Sequence, residues 1–214
     1  MERYPNISDH GLIGDLQTAA LVATDGTVDW FCCPRFDSLS IFGSLLDADK
    51  GGHFKVAPAT DKYRSQQLYF PDTAMLITRF LTEDGVGEVT DFMPIAGEQA
   101  TDRHRLVRQL KVVRGTMTFT AEIKPRFDYG RAKHTLDITS DGFVFTSGDM
   151  HVTINPTGLR EVSPGEHGEM SVERIGDDVR VTATLREGRN IWPGHGVDGR
   201  PASPHFACRA AGTH

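Results

Sequence analysis

Residues 19–31 read Ala19-Ala20-Leu21-Val22-Ala23-Thr24-Asp25-Gly26-Thr27-Val28-Asp29-Trp30-Phe31. Two apolar runs flank an Asp-Gly pair, and glycine accepts a positive φ without steric cost, so the stretch predicts a β-hairpin. The plan recurs down the chain. Residues 74–82 turn at Glu83-Asp84-Gly85 and return over 86–92. Residues 106–113 turn at Arg114-Gly115 and return over 117–123. Residues 136–139 turn at Ser140-Asp141-Gly142 and return over 143–145, and a last pair, 170–175 and 179–185, flanks Gly176-Asp177-Asp178. Hairpins in such close succession predict an all-β fold of antiparallel sheets packed as a β-sandwich.

Patterning refines this reading. Residues 179–185 alternate apolar and polar, which predicts a strand with one wet face. Residues 74–81 alternate poorly, which predicts burial on both sides. The run 40–46, with apolar residues at short helical spacing after Asp37 and Ser38 as N-caps, predicts the one helical segment, a turn or two at most. Pro34-Arg35-Phe36-Asp37 recurs as Pro125-Arg126-Phe127-Asp128, each copy after a predicted strand. The echo reads either as two similar strand exits in two sheets or as coincidence. From Gly188 the alternation stops, Gly, Pro, Arg, His and Ala dominate, and Asp198 is the only acid. The expected division is therefore a sandwich domain at 1–187 and an atypical tail at 188–214, a linker or out-of-frame sequence that adds little to the core. A sheet edge left uncovered by such a tail would favour self-association.

Composition narrows the function classes. The 214 residues are 38% hydrophobic and 24% charged, with a net charge of -6, as in a globular chain. An acidic chain without a Lys/Arg run argues against nucleic acid or an anionic membrane as a partner. No apolar stretch approaches the ~20 residues of a membrane span. The opening Met1-Glu2-Arg3-Tyr4-Pro5 has no apolar segment behind it and does not read as a signal peptide. Cys32 and Cys33 are adjacent and Cys208 is distant, a pattern that fits a reducing, cytoplasmic setting and offers no zinc spacing. No cofactor is implied.

Chemistry-bearing residues concentrate near predicted strand ends. Arg35 and Asp37 around Phe36, with Trp30 nearby and the second copy at Arg126 and Asp128, form a set suited to sugar hydroxyls: a planar donor fork, an acceptor and aromatic faces. The same residues also fit an Arg–Asp pair that closes a loop, with Phe36 in the core. Glycoside hydrolysis needs two opposed carboxylates. Asp29, Asp37, Asp91 and Asp128 sit near strand ends, where aspartate is common for turn reasons alone. Ser8-Asp9-His10 holds the residue types of a hydrolase triad, yet consecutive residues of an extended chain do not converge.

Taken in order, the motifs resemble a known family. Tyr4-Pro5, Ile7-Ser8-Asp9-His10-Gly11-Leu12-Ile13-Gly14-Asp15, Asp25-Gly26-Thr27-Val28-Asp29-Trp30-Phe31-Cys32 and Pro34-Arg35-Phe36-Asp37-Ser38 are similar to the opening of family 15 glycoside hydrolases of the bacterial trehalase and glucoamylase type. Gly51-Gly52-His53-Phe54, Thr90-Asp91-Phe92-Met93-Pro94 and Pro125-Arg126-Phe127-Asp128-Tyr129-Gly130-Arg131 continue the likeness, which covers residues 4–188. The resemblance implies a supersandwich-like N-terminal domain that precedes a catalytic (α/α)6 barrel, whose glutamates carry an inverting mechanism on α-glucoside carbohydrate. No catalytic residue carries over to this chain. The expected partner is the barrel, in cis or in trans, with Trp30, Arg35, Phe36, Asp37, Arg126 and Asp128 at the interface or a substrate. A free-standing carbohydrate-binding module and a small hydrolase are the rival readings.

Overall fold

The computed structural model describes residues 4–95, 104–140, 142–157, 170–187 and 205–212. In chain order the strands are β1 (His10–Gly14), β2 (Ala19–Ala23), β3 (Thr27–Cys32), β4 (Ser40–Phe42), β5 (His53–Pro58), β6 (Arg64–Tyr69), β7 (Leu76–Leu81) and β8 (Gly85–Phe92). There follow β9 (His104–Lys124), β10 (Thr135–Ile138), β11 (Phe143–Ser147), β12 (Met150–Thr157), β13 (Met170–Ile175), β14 (Asp178–Arg186) and β15 (His205–Gly212). Neighbouring strands pair antiparallel, and the fold is the expected all-β, sandwich-like one.

One strand belongs to both layers. The first sheet runs β1-β2-β3-β5-β9-β14-β13, with β4 also bonded to β3. The second runs β6-β7-β8-β9-β15-β12-β11-β10. In each sheet the strands that precede β9 in sequence lie on one flank of it, and those that follow lie on the other. Its early part, up to Gly115, pairs with β8 and β15, and the part from Thr116 pairs with β14 and β5.

This corrects the hairpin expected at Arg114-Gly115, because β9 is continuous over 21 residues. Gly115 does take a positive φ of 74°, as a turn glycine would. Here the conformation makes an irregularity within the strand, with a register shift opposite Val86 and Gly87. Before it the even-numbered residues Leu106, Arg108, Leu110 and Val112 are buried; after it the odd-numbered Met117, Phe119, Ala121 and Ile123 are. Side chains alternate with a period of two, so one extra residue is what keeps the strand facing the same core as it changes sheets. Glu187, just past β14, holds the bend: its N–H donates to the Gly115 carbonyl (2.8 Å) and its carboxylate accepts from the Gly115 N–H (3.0 Å).

The other four hairpins form where expected, as β2–β3, β7–β8, β10–β11 and β13–β14. Strand β14 shows the predicted alternation, with Val179, Val181, Ala183 and Leu185 buried. Two local expectations fail. The helical reading of 40–46 gives way to strand β4, whose three residues are all buried; pairing with β3 outweighs a helix too short to sustain itself. Strand β7 is covered on one face only, with Leu76, Thr78 and Phe80 buried and Leu81 exposed, not on both. Of the tail expected at 188–214, residues 188–204 and 213–214 lie outside the described residues. Its backbone over His205–Gly212 pairs with β9 on one side and β12 on the other. Ladder hydrogen bonds use the main chain alone, and this stretch contains no proline to interrupt them.

Between the sheets lies an apolar core that includes Phe31, Phe42, Phe54, Phe80, Phe119, Phe143 and Phe145. Within it Arg108 is wholly buried. Its guanidinium donates twice to the buried Asp91 of β8 (2.8 and 3.1 Å), to the Phe54 carbonyl of β5 (2.5 Å) and to the Gly26 carbonyl of the β2–β3 turn (2.7 Å). It also lies 4.9 Å from the centre of the Phe54 ring. One cation thus bonds across the layers, from the second sheet to the first.

Two outcomes follow for urea denaturation. Arg108→Met leaves Asp91 charged and unpaired, and is expected to cost about 3–5 kcal/mol. Adding Asp91→Leu is expected to restore part of that loss; a double variant no better than the single would show that the pair is not the source. Gly115→Ala places a Cβ 2.2 Å from the Asp84 carbonyl at a positive φ, and a loss of about 1–3 kcal/mol is expected.

Candidate functional site

Strands β3 and β9 both run antiparallel to β5, so they run the same way and finish at the same end of the first sheet. The loops after Cys32 and Lys124 therefore leave together. The β1–β2 turn joins them: Thr18 Oγ1 donates to the Cys32 carbonyl (2.5 Å), and the Phe36 N–H donates to the Gln17 carbonyl (3.3 Å). The β13–β14 turn joins through Asp178, which accepts from both Arg126 terminal nitrogens at 2.6 and 2.8 Å. All six residues singled out in the sequence lie toward this end. The two Pro-Arg-Phe-Asp copies thus leave one sheet side by side, not two sheets.

The copies use their residues differently. Arg35 and Asp37 form a bidentate pair within one exposed loop, at 3.0 and 3.1 Å. Phe36 between them is 69% exposed, so it is not a core residue. In the second copy Phe127 is buried and Arg126 reaches away to Asp178. Asp128 pairs with Arg131 (2.6 Å). Asp128 and Tyr129 both hold positive φ, 51° and 57°, in a tight turn over Phe127–Gly130. That turn sets the Tyr129 ring 6.2 Å from Trp30, with the Arg131 guanidinium 5.5 Å from the same ring.

The β1–β2 turn presents a further apolar group. Leu16 holds φ at 75° and is 88% exposed. A bulky residue at positive φ is strained. Asp15 holds the turn by accepting from the Gln17 and Thr18 N–H groups (3.1 and 3.0 Å), while its other oxygen meets the buried His104 Nδ1 at 2.5 Å. Leu16, Phe36 and Leu39 are exposed apolar side chains on the loops of this end.

The four aspartates considered for catalysis each have a basic partner of their own: Asp29 with His10, Asp37 with Arg35, Asp91 with Arg108 and Asp128 with Arg131. The first pair is buried. His10 Nε2 lies 2.7 Å from Asp29 Oδ2, and Nδ1 lies 2.9 Å from the Asn6 carbonyl. A carbonyl and a carboxylate both accept, so both ring nitrogens donate and the ring is the charged imidazolium.

Compared with known families, residues 2–189 match the family described as trehalase-like, N-terminal. The chain belongs to that family. It is 34% identical over 177 residues to a trehalase of Thermoplasma volcanium, covering 81% of this chain and 28% of that protein. It is 27% identical over 204 residues to a trehalase of Mycolicibacterium smegmatis, covering 88% and 30%. With trehalase 1 of Sulfolobus acidocaldarius it shares 37% over 135 residues, covering 63% and 22%. The trehalase-like domain thus spans less than a third of the length of these relatives.

Sequence reasoning placed the loops of this domain but missed several of their partners. Tyr129 and Arg131 stood inside a quoted motif without a role. Asp178 stood in a predicted turn, with nothing in the sequence to join it to Arg126. His10 was read as part of an implausible triad and within a quoted motif, without its partner; Asp29 is 19 positions on, and a β1–β2–β3 meander is what brings them together.

The His10–Asp29 pair gives the trehalase-like domain a testable pH response. Burial lowers the His10 pKa, and Asp29 more than offsets this, so it stands above the ordinary 6.5. Burial holds Asp29 above its ordinary 3.8 against the opposing pull of His10. A group whose folded pKa is raised stabilises below its unfolded value, and that gain is lost as pH rises through the folded value. Both shifts have this sign. The stability advantage of the parent over His10→Gln should therefore be larger at about pH 5.5 than at about pH 8.5. An advantage that grows with pH in chemical denaturation would contradict the assignment.

Proposed function

We propose that this chain is the non-catalytic N-terminal domain of a glycoside hydrolase of the trehalase or glucoamylase type, in family 15, and that it packs against and supports a catalytic (α/α)6 barrel. The observation that carries this reading is the match of residues 2–189 to the trehalase-like N-terminal family, in a chain that spans 28% and 30% of two proteins named trehalase. The site geometry agrees with it. The catalytic candidates are each neutralised by a neighbouring base, which suits ion pairs that shape loops better than an acid and a base poised across a bond. The end of the first sheet presents Leu16, Phe36 and Leu39 on loops held by hydrogen bonds, an arrangement suited to burial against another domain. On this reading Arg35, Asp37, Arg126 and Asp128 shape the surface that meets the barrel, with Trp30 and Tyr129 behind them, and α-glucoside carbohydrate belongs to the barrel. A cytoplasmic setting suits the buried cysteines Cys32 and Cys33.

Two measurements test the reading. The purified chain is expected to release no glucose from trehalose, maltose or starch above a blank. Turnover that disappears with Asp37→Asn or Asp128→Asn would overturn it. Mixed with the part of the Thermoplasma volcanium trehalase that lies outside the match, the chain is expected to bind, and Leu16→Ser with Phe36→Ser to weaken that binding about tenfold or more.

A further inference from the structure

The outward face of the first sheet carries a second polar feature, to which none of the six sequence-nominated residues contributes. Alternate residues of β3, β5, β9 and β14 point away from the core there. Against them lies a pocket of about 550 Å³ that Tyr4 and Pro5 help to wall, within the ~300–1,000 Å³ of small-molecule sites. Lys55 and Glu122 also line an adjoining recess of about 370 Å³ that reaches Tyr63 and Arg180.

The lining alternates donors and acceptors. Lys55 Nζ is 2.8 Å from Asp25. Glu122 accepts from Arg180 at 2.9 Å, with His53 at 3.5 Å and Lys124 at 3.6 Å. Burial and the nearby Lys124 lower the His53 pKa from 6.5, so the ring is neutral at neutral pH. Asp25, Asp29 and Glu122 then face Lys55 and Lys124, with the charged His10 on Asp29 and Arg180 on Glu122, so charges of both signs are paired across the lining. Asp29 is the unusual member. Its side chain is 5% exposed and Oδ2 is taken by His10. Its other oxygen, Oδ1, is buried and has no hydrogen-bond partner among the described residues. A buried acceptor without a donor is unfavourable until one arrives.

These features select a ligand class. An anion would meet three carboxylates, and a cation would meet two lysines. A neutral molecule with several hydroxyls suits such a lining, because each hydroxyl both donates and accepts. We infer that this pocket binds a neutral polyhydroxylated ligand, a sugar or a polyol, with one hydroxyl donating to Asp29 Oδ1, others meeting Lys124 and Glu122, and the Tyr4 ring against its apolar face. The inference does not depend on the barrel reading, since it concerns this chain alone and a different set of residues.

Calorimetric titration of the chain with glucose, trehalose, maltose and myo-inositol tests it, with inorganic phosphate as the anion control. Saturable binding of at least one of the four is expected. Lys124→Ala and Tyr4→Ala, both in partly or largely exposed positions, should each weaken it about fivefold. Phe36→Ala, on the loop at the sheet end, should leave it unchanged. Asp29→Asn serves as a further variant where its thermal unfolding matches the parent. No saturable binding of any of the four would overturn the inference, as would phosphate binding in their place. Sugar binding lost in Phe36→Ala but kept in Lys124→Ala and Tyr4→Ala would also overturn it, by moving the site to the loops.

Discussion

The fold depends on a positive charge placed where no water reaches. Arg108 sits between two sheets and spends its hydrogen bonds on both, two of them on Asp91 of the second sheet and one each on the carbonyls of Phe54 and Gly26 of the first. Burying an ion is expensive unless its partners are complete. The core around Arg108 is thus obliged to keep Asp91, the Phe54 carbonyl and the Gly26 turn in one relative position. Apolar packing alone is tolerant of small slides between layers; a guanidinium with fixed donor directions is not. Gly26 answers the same demand, since a Cβ there would lie 2.1 Å from the Val56 carbonyl. The Asp-Gly turn that announces a hairpin in the sequence is therefore also one of the places where the two layers are fastened.

Period-two alternation and turn glycines made most strands readable, and they failed where one local signal serves two purposes. Gly115 has a turn's φ and a turn's neighbours, yet the strand continues past it into the other sheet. The deciding information is the parity change between Val112 and Met117, which residue types show only once the two runs are read as one strand. Arg108 was legible in principle by the same test: it occupies an inward parity position between Leu106 and Leu110, where a lone charge calls for a buried partner. Strand β4 was not legible, because three buried residues have no period of their own. The β15 ladder was not legible either, because main-chain pairing leaves little trace in side-chain pattern.

The candidate site shows a similar division. The sequence nominated two copies of one tetrapeptide, and topology brings both to one end of one sheet. Their chemistry then diverges through what lies nearby. The Arg35 guanidinium pairs with Asp37 of its own loop and stays exposed; Arg126 has the β13–β14 turn and is drawn to Asp178. Identical residues take the partner that the surrounding strands supply, and those strands lie far away in sequence. The outward pocket was harder still to foresee. His53, Lys55, Glu122 and Lys124 look like ordinary solvent-facing positions until β5 and β9 are laid side by side, with His53 opposite Lys124 and Lys55 opposite Glu122.

The position of β9 sets an order on biosynthesis. Strands β1–β8 flank it on one side in both sheets, and the described strands after it, β10–β15, complete the other side. A chain emerging from the ribosome from its N-terminus can assemble β1–β8 into two partial sheets, each ending in an open edge, with Asp91 lacking its cation. Both edges and that charge are satisfied by the same 21 residues, which arrive together. Until then the nascent protein is two unfinished surfaces, the condition in which aggregation competes with folding. The strand that unites the layers therefore also fixes how long the growing chain needs protection.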